Sequence, residues 1–223
     1  MAAVRGYAVT PLIKTLKTDN PNIHSPSILP SKWVKRINAC DADIVNLHWV
    51  QSEMLSIADI AHIKKPLVWT LHDMWAFCGA EHVTHENRWR DGYKRDNRPA
   101  HESGFDLNRH TWQRKCKYWK RPMQIVCPSQ WLADCVRASA LMHAWPVEVV
   151  PNPINTDRWQ PVDQRLARQL IGIKQNCPLI LFGAIGGGKD PNKGFDLLLA
   201  ALAHLRNEPS LQNLQLMVFG QLA

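Results

Sequence analysis

Apolar residues in this chain gather in short runs that recur along its length. Asp43–Trp49 (DIVNLHW), Leu67–Leu71 (LVWTL), Gln124–Pro128 (QIVCP), Glu148–Pro151 (EVVP), Pro178–Gly183 (PLILFG) and Leu214–Gly220 (LQLMVFG) are rich in Val, Ile and Leu. Near-continuous apolarity, rather than strict alternation, predicts strands buried on both faces, as in a parallel sheet. Helical patterns lie between the runs. Ser31–Ala39 follows Pro30, with Ser31 placed to cap it. Glu53–Ile63 sets Met54, Leu55, Ala58 and Ala61 on one face, and Ser129–Met142 opens with a capping serine before Trp131, Leu132, Cys135, Val136 and Ala140. Asp163–Leu170 and Phe195–Leu205 continue the series. Strands alternating with helices of about ten residues predict right-handed βαβ units in an α/β fold.

Two segments break this rhythm. Trp75–Asn108 is long, polar and rich in His, Arg, Asp and Gly, which predicts a functional or mobile loop. Pro151–Pro161 (PNPINTDRWQP) holds three prolines in eleven residues, which excludes regular helix or strand and predicts a hinge. The expected organisation is a first domain over 1–151, a hinge over 152–161 and a second domain over 162–223.

Composition narrows the class. The chain has 223 residues, 45% hydrophobic and 21% charged, which excludes a disordered, collagen-like or disulfide-dense protein. No apolar run approaches the ~18 residues of a membrane helix. The formal net charge is +8, and Arg88–Arg121 alone holds 11 basic and 4 acidic residues. That block either is a solvated basic face or attracts an anionic lipid surface, nucleic acid or phosphorylated substrate. The six cysteines include no C-x-x-C pair and no secretory signal opens the chain, so reduced thiols in the cytoplasm are expected.

The segment Gly183-Ala-Ile-Gly-Gly-Gly188-Lys189-Asp190 nearly fits the phosphate loop G-x-x-x-x-G-K-[ST], but Asp190 stands where that loop needs a hydroxyl for magnesium. What remains is more general: a glycine turn lets backbone amides approach a phosphate, and Lys193 adds a charge where the next helix begins. His82-x-x-His85 has zinc-compatible spacing, but Val83-Thr84 disfavours a helix there, and no metal is expected. His48 reads as a structural residue at a strand end, with a place in the cleft as the alternative.

Together these residues carry a resemblance. Phe182-Gly-Ala followed by Asp190-Pro-Asn-Lys193-Gly-Phe-Asp-Leu-Leu resembles the opening of the C-terminal domain in glycosyltransferase family 4. The hinge Val150-Pro-Asn152-Pro-Ile-Asn-Thr156-Asp-Arg-Trp159-Gln-Pro161 is similar to that family's PNGIDT-x-x-F-x-P. Asp43-Ile-Val-Asn-Leu-His48-Trp, Thr70-Leu-His72-Asp73-Met-Trp75 and Cys127-Pro-Ser129-Gln-Trp131-Leu-Ala match further segments in the family's order. The resemblance implies a GT-B-like architecture of two Rossmann-like parallel-sheet domains. It also implies transfer of a sugar from a nucleotide-sugar donor to a glycan or lipid-linked acceptor, with retention and without a metal or other cofactor. His72 corresponds to a histidine that contacts the donor sugar, and Lys193 to a basic residue on the donor diphosphate. Ala184 stands where many members have arginine, so diphosphate binding falls to Lys193 and to the amides of Gly186, Gly187 and Gly188.

The resemblance further implies that both domains are incomplete, lacking the family's first glycine-rich loop and its later glutamate segment. On that expectation residues 1–223 alone would not turn over. The leading reading is a glycosyltransferase of polysaccharide biosynthesis, or a piece of one, cytoplasmic and peripheral at the inner face of an anionic membrane. Its rival is a non-catalytic α/β remnant that binds phosphate or a partner. Nucleic acid, suggested by the basic block with Trp89, Trp112 and Trp119, is not an expected partner, because it leaves the ordered segments unexplained.

Overall fold

The computed structural model describes every residue except Met1, Gly186, Gly187, Lys189 and 221–223. The chain divides into two compact units, Met1–Pro153 and Ile154–Ala223.

The first unit contains α1 (Ala2–Ala8), α2 (Thr10–Ile13), β1 (Leu16–Lys17), α3 (Trp33–Ala39), β2 (Val45–His48), α4 (Ile57–Ala61), β3 (Leu67–Thr70), α5 (Arg88–Asp91), β4 (Ser103–Gly104), α6 (Leu107–Tyr118), β5 (Gln124–Cys127), α7 (Gln130–Ala138) and β6 (Val147–Val149). Its main sheet is parallel throughout, in the order β2-β3-β5-β6. The register sets Val45 against Leu67 and His48 against Thr70, so β2 and β3 end side by side. Burial is less even than the apolar runs predict. In β2 only Leu47 is buried, while Asn46 and His48 are exposed, because β2 forms one edge of the sheet. Trp69 of β3 and Ile125 of β5 are fully enclosed. Trp69, Trp75 and Trp119 pack ring to ring, with centroids 5.4 to 6.1 Å apart. The indole N–H groups of Trp75 and Trp119 donate to the carbonyls of Ser25 and Ile57.

Helix boundaries follow their caps. Ser129 caps α7 by accepting the Leu132 amide, as the sequence predicts. The helix expected over Glu53–Ile63 shrinks to α4. Ser52 and Glu53 hold positive φ values of 52° and 63°, and Ser56 then forms a reciprocal capping box with Asp59. Ser31 lies one residue before the N-cap of α3, which is Lys32, and its hydroxyl accepts the Trp33 amide.

The largest departure is Trp75–Asn108. Much of this stretch, expected as a polar loop, is interior: Trp75, Ala76, Phe77, Cys78 and Ala80 are fully buried, and Glu81, His82, Arg88 and Tyr93 nearly so. Its polar groups find partners inside the protein. The Lys115 ammonium of α6 donates to the carbonyls of Trp75, Cys78 and Gly79 and lies 3.8 Å from the centre of the Trp75 ring. Arg88 bridges Asp106, and Tyr93 donates to Glu81. The segment ends in β4, which pairs antiparallel with β1.

The second unit contains α8 (Gln164–Leu170), a 3-10 turn Pro191–Lys193, α9 (Phe195–Leu205), a second 3-10 turn Pro209–Leu211, and the parallel pair β7 (Leu179–Gly183) and β8 (Gln215–Phe219). Asp163 caps α8 through the Leu166 amide. This βαβ unit leaves Leu181, Leu197, Leu199 and Phe219 exposed.

Candidate functional site

In a parallel sheet, the carboxyl ends of the strands form a crevice where side chains from successive loops converge. In the first unit that edge carries two histidines. His48 is the last residue of β2, and His72 follows β3 by two positions. Because the strands end in register, the two rings meet: His48 Nδ1 lies 3.0 Å from His72 Nε2, and both side chains are exposed. One proton is shared across that bond, so His72 keeps its Nδ1, and His48 its Nε2, for a ligand.

The backbone after His72 is held by a hydrogen-bonded relay. Asp73 Oδ1 accepts the Trp75 amide at 3.0 Å and the Gln51 side-chain amide at 3.4 Å. Asp73 Oδ2 accepts from His82 Nδ1 at 2.7 Å, and His82 Nε2 meets the Ser25 hydroxyl at 2.8 Å. Ser25 Oγ in turn accepts the Ser52 amide. His82 Nδ1 thus donates to Asp73, and its other ring nitrogen is engaged by Ser25. The order Ser25, His82, Asp73 matches that of a nucleophilic triad, but Ser25 is only 2% exposed and no substrate reaches it. The relay orients the loop. Trp49, held at φ 42°, lies over His82 with ring centroids 5.7 Å apart.

Beneath the loop lies a layer of titratable groups. Burial raises the Cys78 thiol and the Tyr93 phenol well above their ordinary values, and the nearby Glu81 carboxylate adds to both shifts. Burial pulls Lys115 down to about 7, against the opposing attraction of Cys78, Glu81 and Asp73. For Asp106, burial acts upward, but hydrogen bonds from Arg88 and the Arg109 amide outweigh it and hold the carboxyl below its usual range.

The other residues singled out in the sequence belong to the second unit. Gly188 is exposed, and a Cβ there would stand 2.3 Å from the Phe195 ring. Lys193 is exposed at the end of the turn before α9, and Gly194 takes the left-handed conformation at φ 69° that starts the helix. The Asp190 carboxylate accepts from the Asn192 amide. Gly186 and Gly187 lie outside the described residues.

The basic block is not one surface. Arg88, Lys115, Trp89 and Trp119 are buried, and Arg114 reaches the carbonyls of Pro26 and Ser27, while Arg90, Lys94, Arg95, Lys117, Lys120 and Arg121 are exposed. His82 spends both ring nitrogens on Asp73 and Ser25, so it is not half of a pair with His85. Among the described residues, no group of three His, Cys, Asp or Glu side chains is placed to hold a metal, and no helix is long and apolar enough to cross a membrane. All six cysteines are free.

Sequence reasoning did not foresee the contact between His48 and His72 or the relay through Gln51, Asp73, His82 and Ser25. A signal for His48 was present: N-L-H48 and T-L-H72 close two apolar runs that pair in parallel.

No curated protein matches this sequence. A family model described as Glycosyltransferase Family 4 matches residues 5–158, well over half of the chain and all of the main sheet. With the parallel α/β units, that match gives the fold class as Rossmann-like and GT-B-like, and the chain belongs to glycosyltransferase family 4.

Proposed function

We propose that the chain moves a sugar from a nucleotide-sugar donor to a glycan or lipid-linked acceptor with retention of configuration, in polysaccharide biosynthesis. The observation that carries this reading is the exposed His48–His72 pair at the strand ends of the family-matched sheet. His72 meets the transferred sugar through the ring nitrogen that His48 leaves free. In the second unit, Lys193 and the amides of Gly186, Gly187 and Gly188 counter the charge that builds on the departing diphosphate. No cofactor is needed in this scheme, because positioned cations and amides take the role a metal would have. The leaving diphosphate and the acceptor oxygen exchange places on the same face of the sugar, which is what retention requires.

The test pairs binding with turnover. A thermal-shift panel of UDP- and GDP-sugars identifies the donor, and transfer is then followed with labelled sugar. His72→Ala should lower kcat by more than it weakens donor binding, since the contact is to the transferred group. Turnover unchanged in His72→Ala removes that residue from the site. A nucleotide-sugar that binds without any transfer favours the rival, a non-catalytic binding protein.

A further inference from the structure

Outside the histidine pair, the first unit carries a pocket of 490 Å³ lined by Arg5, Pro30, Ser31, Lys32, Trp33, Arg36 and Met54. We infer that this pocket binds an anionic saccharide unit, a pyranose bearing a carboxylate or phosphate, as part of the acceptor.

The lining has three cations and no carboxylate. Arg5 is built in: its Nε donates to the Glu53 carbonyl, and one terminal nitrogen donates to the carbonyls of Leu29 and Pro30, all at 2.8 Å. That leaves its other terminal nitrogen for a ligand. Lys32 and Arg36 are exposed and make no ion pair among the described residues. The nearby carboxylates are buried and already accept backbone amides, Asp59 those of Ser31 and Ser56 and Glu53 those of Ile28 and Leu29, so they offer the cations little. An anion entering here meets charge-assisted donors that no internal acid neutralises.

The rest of the wall selects what carries that charge. Trp33 is 53% exposed, with the Arg36 guanidinium over its ring at 5.2 Å. An indole face beside a guanidinium suits a ring with apolar C–H faces and a charged substituent, and Pro30 and Met54 extend the apolar floor. The volume lies within the ~300–1,000 Å³ typical of small-molecule sites and is ample for one or two sugar rings. The loop after β2 links the pocket to the histidine pair. Gln51 on that loop bonds Asp73 beside His72, and Met54, three residues on, lines the pocket.

Naming the saccharide as acceptor rests on the function proposed above. Its binding is read without turnover, so failure of the pocket and failure of transfer are separate results. Calorimetry would compare digalacturonate, glucose 6-phosphate, maltose, inorganic phosphate, UMP and phosphatidylglycerol vesicles on the full chain. Digalacturonate or glucose 6-phosphate should bind, and the tighter of the two names the substituent. Maltose should bind at least about tenfold more weakly. The exposed double variant Lys32→Gln/Arg36→Gln, and separately Trp33→Ala, should each weaken the anionic sugar by roughly three- to tenfold, the effect of one or two lost contacts. Maltose equal to the anionic sugars, inorganic phosphate or UMP as tight as either, or no loss in the variants would overturn the inference. So would vesicle binding that the double variant abolishes while neither anionic sugar binds.

Discussion

Lys115→Met tests the interior on which the histidine edge rests. The lysine is fully buried, and its ammonium serves the carbonyls of Trp75, Cys78 and Gly79. Among the described residues, no backbone N–H reaches any of those three oxygens. Methionine keeps the length of the stem and removes every donor. Three buried carbonyls left bare cost roughly 3–9 kcal/mol, at about 1–3 kcal/mol each. Removing a buried charge recovers part of that, since its desolvation costs several kcal/mol. The expected net loss is about 3–5 kcal/mol, a large share of the ~5–15 kcal/mol that holds a domain together. A second signature comes from pH. Burial draws Lys115 from 10.5 down to about 7, so above pH 7 the folded protein releases this proton before the unfolded chain does. The unfolded state then binds more protons, and stability rises with pH by at most about 1.4 kcal/mol per unit. The buried thiols act the other way as soon as pH rises through the ordinary thiol value of about 8.5, where the unfolded chain loses those protons first, so the window from pH 7 to about 8 is the clean one. Urea unfolding followed by tryptophan fluorescence measures both effects, with the variant as the pH-flat reference. A loss below about 1 kcal/mol, or an unchanged difference between the two proteins across that window, would refute the assignment of Lys115 as the donor to this loop.

Two further outcomes are expected. Arg88→Met strands Asp106 and Glu102 and should cost about 3–5 kcal/mol at neutral pH. Because the Asp106 carboxyl is held below its usual range, that stabilisation is present above the ordinary carboxylate value and is lost as pH falls through the folded one. The gap between wild type and variant in acid unfolding should therefore narrow toward pH 2, and a constant gap would contradict it. Ser129→Ala removes the acceptor for the Leu132 amide at the start of α7 and should cost about 1 kcal/mol in the urea midpoint, while Ser129→Thr should cost less. Equal effects would mean that the cap contributes nothing.

The sheet was legible because its strands are short, apolar and separated by helical periodicity. All six predicted runs coincide with strands to within one or two residues, and Phe195–Leu205 forms a helix with the predicted ends. What failed was the reading of polarity. Arg88, Lys115, Asp106 and Glu81 look like surface residues by type, since charged groups are rarely interior unless paired. Their pairing is long-range, from Lys115 back to Trp75 and from Asp106 back to Arg88, and no local window shows it. The α4 boundary failed for a related reason. Glu53 has good helix propensity but is held at positive φ, with its carboxylate accepting the amides of Ile28 and Leu29, and a tertiary contact outweighs a few tenths of a kcal/mol of propensity. Resemblance singled out His72 as a candidate, whereas its contact with His48 needed the register of two strands.

The buried charges also bear on why the candidate site lies where it does. His72 is beyond the last ladder hydrogen bond of β3, so the sheet alone does not fix it. Its direction depends on Asp73, which three donors hold: the Trp75 amide, the Gln51 side chain and His82. Each of those donors is itself anchored. Trp75 is clamped between the Ser25 carbonyl and the Lys115 ammonium, Gln51 belongs to the loop after β2, and His82 is closed by Ser25. An exposed imidazole pair therefore stands on an interior with little freedom to move, the arrangement needed where a displacement of about 1 Å can cost a hundredfold in rate. Part of the polar density between Asp73 and Arg121, namely Asp73, His82, Arg88 and Lys115 with their partners, is therefore internal support for this edge, while Arg90, Lys94, Arg95, Lys117, Lys120 and Arg121 stay exposed. The two cations that enter the interior, Arg88 and Lys115, do so where backbone and carboxylate oxygens would otherwise lack donors.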